Sequence, residues 1–219
     1  MLERRHIPLA VFVGLYMGGA GVVAATRWNI EFLYYGIVML VLIALVFLLD
    51  RRVRLATPLL WGLAVWGLLH MVGGTLKIPE AWADPGSSGT LYNLRVHPWA
   101  PKYDQAVHAF GFFLSSLAAW RALYVASRGV LRPTFGVLVS VACVGMGLGA
   151  LNEVIEFVAT RIMPETNVGG FVNTGWDLVS NLAGSVAAVI LVRISWDRGW
   201  ANRDLQPAGP PGSGTTPGL

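Results

Sequence analysis

The stretch Pro133 to Glu156, PTFGVLVSVACVGMGLGALNEVIE, is uncharged from Pro133 to Leu151 and then presents Glu153 and Glu156. An uncharged run of this length matches the roughly 17–25 residues that a helix needs to cross a bilayer. Residues at i and i+3 share a helical face, so Glu153 and Glu156 lie side by side. Like charges repel there unless a proton, a cation or an Arg sits between them. Acids at or near a lipid-covered helix end are expensive, which marks this pair as the start of a site.

Outward from this stretch the chain keeps the same character. It has 219 residues, 55% hydrophobic and only 13% charged, about half the charged fraction of a soluble domain. Uncharged or nearly uncharged runs also fall at Ile7 to Ala25, Phe32 to Leu49, Leu55 to Leu76, Ala106 to Trp120 and Leu178 to Val192. They predict an all-α polytopic membrane bundle of six transmembrane helices, over about 7–25, 31–49, 56–76, 104–126, 133–161 and 175–194, in one membrane domain spanning 1–200. The first run is preceded by Arg4 and Arg5 as a signal peptide would be, but its apolar core is longer than a usual signal core. Residues 201–219, rich in Pro and Gly, read as a disordered cytoplasmic tail.

Basic residues set the orientation. With the N-terminus inside, the inner segments hold Arg4, Arg5, Arg51, Arg52, Arg54, Arg121, Arg128, Arg132, Arg193, Arg198 and Arg203, eleven of the 16. Both termini are therefore expected in the cytoplasm. The net charge of +4 follows from this asymmetry and makes no case for nucleic acid, because the basic residues are spread over several short segments. Cys143 is the single cysteine, which excludes a disulfide framework or a Cys-type metal motif.

Along the chain the polar residues gather near the outer ends of the spans. Gly14, Gly18, Gly19 and Gly21 point to close helix packing in a scaffold hairpin. His70 is the one polar residue of its apolar span and is followed by Gly73 and Gly74. The outer loop from Lys77 to Tyr103 is broken by prolines, and its Trp82, Tyr92, Trp99 and Tyr103 suit a loop lying against lipid headgroups. His97 reads as a solvated loop residue. Asp104, His108 and Gly111 form an i, i+4, i+7 stripe, with Asp104 also placed to cap the helix. Asp177, Asn181 and Gly184 repeat that spacing after the second outer loop, Ile162 to Thr174. The two triplets, each after an outward-running span with polar residues near its end, read as a parallel repeat of two hairpins.

The run Leu69-His70-Met71-Val72-Gly73-Gly74, then Tyr103-Asp104 with His108 and Gly111, Asn152-Glu153 with Glu156, and Trp176-Asp177 with Asn181 and Gly184 resembles the polytopic bacterial inner-membrane proteins typified by YjdF. The Asp-x3-His, Glu and Asp-x3-Asn pattern is more distantly similar to the VanZ-like family. There a basic residue usually follows the first aspartate, where this chain has Gln105. The resemblance covers roughly residues 30–195. It implies the fold and a multi-pass location in the bacterial inner membrane, and it supplies no reaction.

The chemistry has to come from the constellation. Imidazoles and carboxylates suit Zn, Mn or Fe, and a cation would offset the repulsion between Glu153 and Glu156. The first expectation is a metal-dependent enzyme acting on a lipid or lipid-linked substrate at the periplasmic side. His70, His108, Glu153 and Asp177 are its expected metal ligands, Glu156 or Asp104 its general base, and Asn152 and Asn181 further members of the polar cluster. A proton or cation transporter would use the same groups, but the inner halves of the spans hold little that is polar besides Arg121 and Ser140. A third reading is a structural polar network in a protein that binds a partner or lipid. The expected partners are membrane lipids.

Overall fold

The computed structural model describes residues 3–27, 30–163 and 166–198. The expected tail, 201–219, lies outside the described residues. Six helices carry the fold: α1 (His6–Arg27), α2 (Ile30–Val53), α3 (Thr57–Thr75), α4 (Tyr103–Ala126), α5 (Phe135–Ile162) and α6 (Phe171–Asp197). Each is long and apolar enough to cross a membrane. No strand forms among the described residues; the long loop contributes only two single 3₁₀ turns and two isolated bridges.

The centre is formed by α4, α5 and α6, with α3 against α4 and α1 against α3. A third of the α4 and α6 spans (33%) is buried, against 6% for α1 and α2, so the N-terminal hairpin is largely left to lipid. That fits composition, since α2 is the most apolar span, with a mean hydropathy of 2.8. At the end away from the outer loops, Trp120, Val141 and Val192 close the packing between α4, α5 and α6.

Glycine decides how close the central helices come. A Cβ at Gly184 would run into the Ala109 carbonyl, and one at Gly149 would meet the Asn181 amide. Gly145 lies between the Ser116 and Ser185 hydroxyls. By contrast Gly14, Gly18, Gly19 and Gly21 have nothing within 4 Å, which corrects the expectation of close packing there. α1 touches the bundle instead through residues such as Leu9, Ala20 and Ala24.

The loop between α3 and α4 folds over the bundle end. Trp82 and Trp99 are exposed (60% and 92%), but Tyr92 and Tyr103 turn inward, against the headgroup expectation. The Tyr92 hydroxyl donates to the His70 carbonyl at 2.6 Å, and that of Tyr103 to the Leu69 carbonyl at 2.9 Å. Gly73 and Gly74 make this possible, because the Tyr92 ring lies where their side chains would be. Burial pushes the Tyr92 hydroxyl well above its usual range, so it stays a neutral donor. His97 is exposed, as expected. α6 opens at Phe171 rather than Gly175, which puts Asn173 and Thr174 on the helix instead of in the loop.

At the opposite end, Asp50 is almost fully buried (1% exposed). It accepts from Arg5 Nη2 at 2.9 and 3.1 Å, from the Leu55 amide at 2.7 Å, and pairs with His6 Nε2 at 2.8 Å. One carboxylate thus ties the start of α1 to the α2–α3 turn.

Candidate functional site: an imidazole among four carboxylates

Three helices bring the site together. The i, i+4 spacing puts Asp104 and His108 on one face of α4, and Asp177 and Asn181 on one face of α6. The i, i+3 spacing does the same for Glu153 and Glu156 on α5. Close approach at Gly149 and Gly184 lets these faces converge. Asp104 does not act as the helix cap: Lys102 occupies the N-cap position, and its amide donates to the Gln105 side chain at 2.9 Å. The residue that replaces the expected basic neighbour therefore closes the first turn of α4.

His108, 4% exposed, stands at the middle. Its Nδ1 bonds Asn181 Oδ1 at 3.1 Å and lies 3.7 Å from Glu153 Oε1. Its Nε2 faces Asp104 Oδ1 at 3.7 Å and Glu156 Oε1 at 3.9 Å. In the neutral ring, an Nδ1–H donated to the Asn181 carbonyl leaves the lone pair on Nε2, toward those two acids. His108 and Asn181, the matching positions of the two similarly spaced triplets, thus meet each other directly.

The surrounding acids are unevenly satisfied. Asn152 donates to Glu156 at 2.8 Å, and Asn173 to Asp177 Oδ2. Both Glu153 oxygens, and Asp177 Oδ1, are buried without a hydrogen bond of normal length and geometry among the described residues, although the Asn152 and Thr174 side chains stand near Glu153. Two sets have ligand atoms all within 4.8 Å of one another: Asp104, His108 and Asp177, and His108, Glu153 and Glu156. A cation among them would gather donors that are slightly too far apart to bond each other.

His70 stands aside from both sets. Its ring stacks on Trp66 and meets Tyr92 edge-on, each at 5.5 Å between centroids. There it lines a cavity of about 50 Å³, together with Tyr35, Lys102, Asp104, Glu156 and Asn173. Such a space holds a water or two.

Several members were not foreseen from sequence. Lys102, 5% exposed, donates through Nζ to Asn173 Oδ1, so Lys102, Asn173 and Asp177 form a chain. Extending the Asp177–Asn181 stripe one turn upstream would have reached Asn173. Glu31 accepts from the Asn167 backbone and side chain at 2.7 and 2.6 Å, joining α2 to the loop before α6. Below the site, the Ser116 and Ser185 hydroxyls extend the polar file to mid-helix, where it ends above Trp120, Val141 and Val192.

No curated protein and no solved structure matches this chain. A family model described as "Predicted membrane protein (DUF2238)" matches residues 6–198, so the chain, with its six apolar helices and buried His/Asp/Glu cluster, belongs to that family of membrane proteins.

Proposed function

We propose that the protein is a metal-dependent enzyme of the bacterial inner membrane that acts on a lipid or lipid-linked substrate from the periplasmic side. The carrying observation is Glu153, which is nine-tenths buried 3.7 Å from His108 with neither carboxylate oxygen in a hydrogen bond of normal length and geometry. Four carboxylates carry more negative charge than one imidazolium and the Lys102 ammonium together can balance, and a buried charge without a partner is costly. A divalent Zn, Mn or Fe ion fits this donor set of oxygens and one nitrogen.

His108 would hold the metal with one of two acid pairs, Asp104 and Asp177 or Glu153 and Glu156. Asn181 holds the imidazole in the tautomer that leaves Nε2 free, and Asn152 orients Glu156. A metal there would polarise a phosphoryl or acyl oxygen, or lower the pKa of a bound water. A carboxylate not engaged by the metal is the general base, with Glu156 or Asp104 nearest the cavity.

An apolar groove of about 390 Å³ supports the lipid reading. It runs between α2, α3, α4 and α5 from Leu49 and Ala118 up to Asn152, whose amide bonds Glu156. A chain lying in it would bring its head to the site. The basic-residue asymmetry puts this end of the bundle outside, and the resemblance to YjdF-like and VanZ-like proteins fits the same location. A transporter is disfavoured because the polar file stops at the Trp120, Val141 and Val192 layer.

Thermal melting of the purified protein tests the reading. Chelator should lower Tm, and Mn²⁺ or Zn²⁺ should restore it, by about 2.7 kcal/mol at a hundredfold excess over Kd. His108→Ala should abolish the response. A wild-type protein indifferent to chelator and metal would leave a purely structural polar network.

A further inference from the structure

The site has an outer vestibule that the acid cluster does not explain. A cleft of about 340 Å³ lies between the two outer loops, lined by Ser88, Asn167, Gly169, Gly170 and Asn173, with Lys102 in its wall. Lys102 also lines the small inner cavity with Asp104 and Glu156, so the one side chain borders both spaces. The side chain is buried, and among the described residues Asn173 Oδ1 is the only hydrogen-bond acceptor for its three N–H donors. The acids on its inner side, Asp177 among them, supply counter-charge, and the N–H groups that Asn173 does not take can still donate to an anion from the vestibule.

Of the other charged groups nearby, Asp84 is paired with Arg95 at 2.6 Å, and Glu31, on the inner cavity, is hydrogen-bonded to Asn167. Gly170, the N-cap of α6, has no side-chain cap and lines the cleft with Asn173, so the positive end of the helix adjoins the same space. Asn167, Asn173 and Ser88 add neutral polar groups, the mix that binds a phosphate through hydrogen bonds rather than through net charge alone.

We propose that the vestibule is a phosphate subsite, in which Lys102 and the start of α6 hold the phosphate of the substrate directly outside the His108 acid cluster. This rests on the reading of that cluster as a lipid-processing centre and narrows the substrate to a phosphate-bearing amphiphile.

The chain has only two lysines, Lys77 and Lys102, which allows a direct test. Lys77 is exposed and serves as the internal reference. The detergent-solubilised protein is treated with a small amine-acylating reagent at constant ionic strength, and both lysines are quantified by peptide mass spectrometry. The probes are inorganic phosphate against chloride, and mixed micelles containing phosphatidic acid against diacylglycerol of the same chains. At ten times the dissociation constant the phosphate probe should slow acylation of Lys102 about tenfold and leave Lys77 unchanged. Protection by phosphatidic acid alone identifies a lipid headgroup, and protection by inorganic phosphate as well identifies a free anion as a second source. In melting experiments the same probes should stabilise wild type and Lys102→Arg but not Lys102→Met. Equal acylation with and without phosphate in the wild type overturns the subsite. Because metal content is measured separately, loss of the subsite and loss of the metal reading are distinguishable results.

Discussion

At the scale of single residues, Glu153 separates a metal centre from a hydrogen-bonded girdle. If the acid is held by a proton, Glu153→Gln reproduces its shape and charge and changes little. If it is held by a cation, the amide is a poor ligand, and metal affinity measured by competition with a chelator should fall about 10- to 100-fold. The same residues show what sequence could reveal. Asp104 with His108, and Asp177 with Asn181, were legible because i, i+4 spacing within one helix is a local property. Lys102 with Asn173 and Glu31 with Asn167 were not, because those partners are 71 and 136 positions apart. Periodicity carries no information about which loop end meets which helix end.

At the scale of elements, the site depends on helices packed closer than side chains normally allow. Gly184→Ala places a methyl group against the Ala109 carbonyl, and since backbone must give way, a cost of about 1–3 kcal/mol is expected. Gly147→Ala on α5 has nothing within 4 Å and should be neutral or slightly stabilising. Thermal melts of the two variants check both, and equal losses would contradict the close α4–α6 approach. The glycine-rich runs of α1 and α5 look alike in sequence, yet only α5 uses its glycines for packing inside the chain. Which glycine faces a neighbour is fixed by tertiary rotation of the helix. Spacing along the chain does not specify that rotation.

At the scale of the whole molecule, the bundle has two differently built ends. One end is the acid cluster under its loops. The other is the Asp50 clasp, whose carboxylate binds Arg5, His6 and the Leu55 amide. Asp50→Ala leaves those donors facing an apolar interior and should cost on the order of 3 kcal/mol in a melt, without touching metal content. The six spans were readable from hydropathy because a bilayer imposes length and apolarity on each helix separately. The ends were less readable, since Tyr92 and Tyr103 looked like headgroup anchors and turn inward instead. In a background lacking Cys143, Asn173→Cys should react with a membrane-impermeant maleimide added from the periplasm, and Ser127→Cys only from the cytoplasm. Labelling of Asn173→Cys from inside would contradict the orientation.

The central claim is that a cation holds His108 and its acids together. Elemental analysis of protein purified in detergent without chelator, for the wild type and the Glu153→Ala/His108→Ala double variant, addresses it most directly. The account predicts close to one Zn, Mn or Fe per chain in the wild type and its loss in a double variant that still purifies as a folded protein. A folded wild type without any of these metals would contradict it.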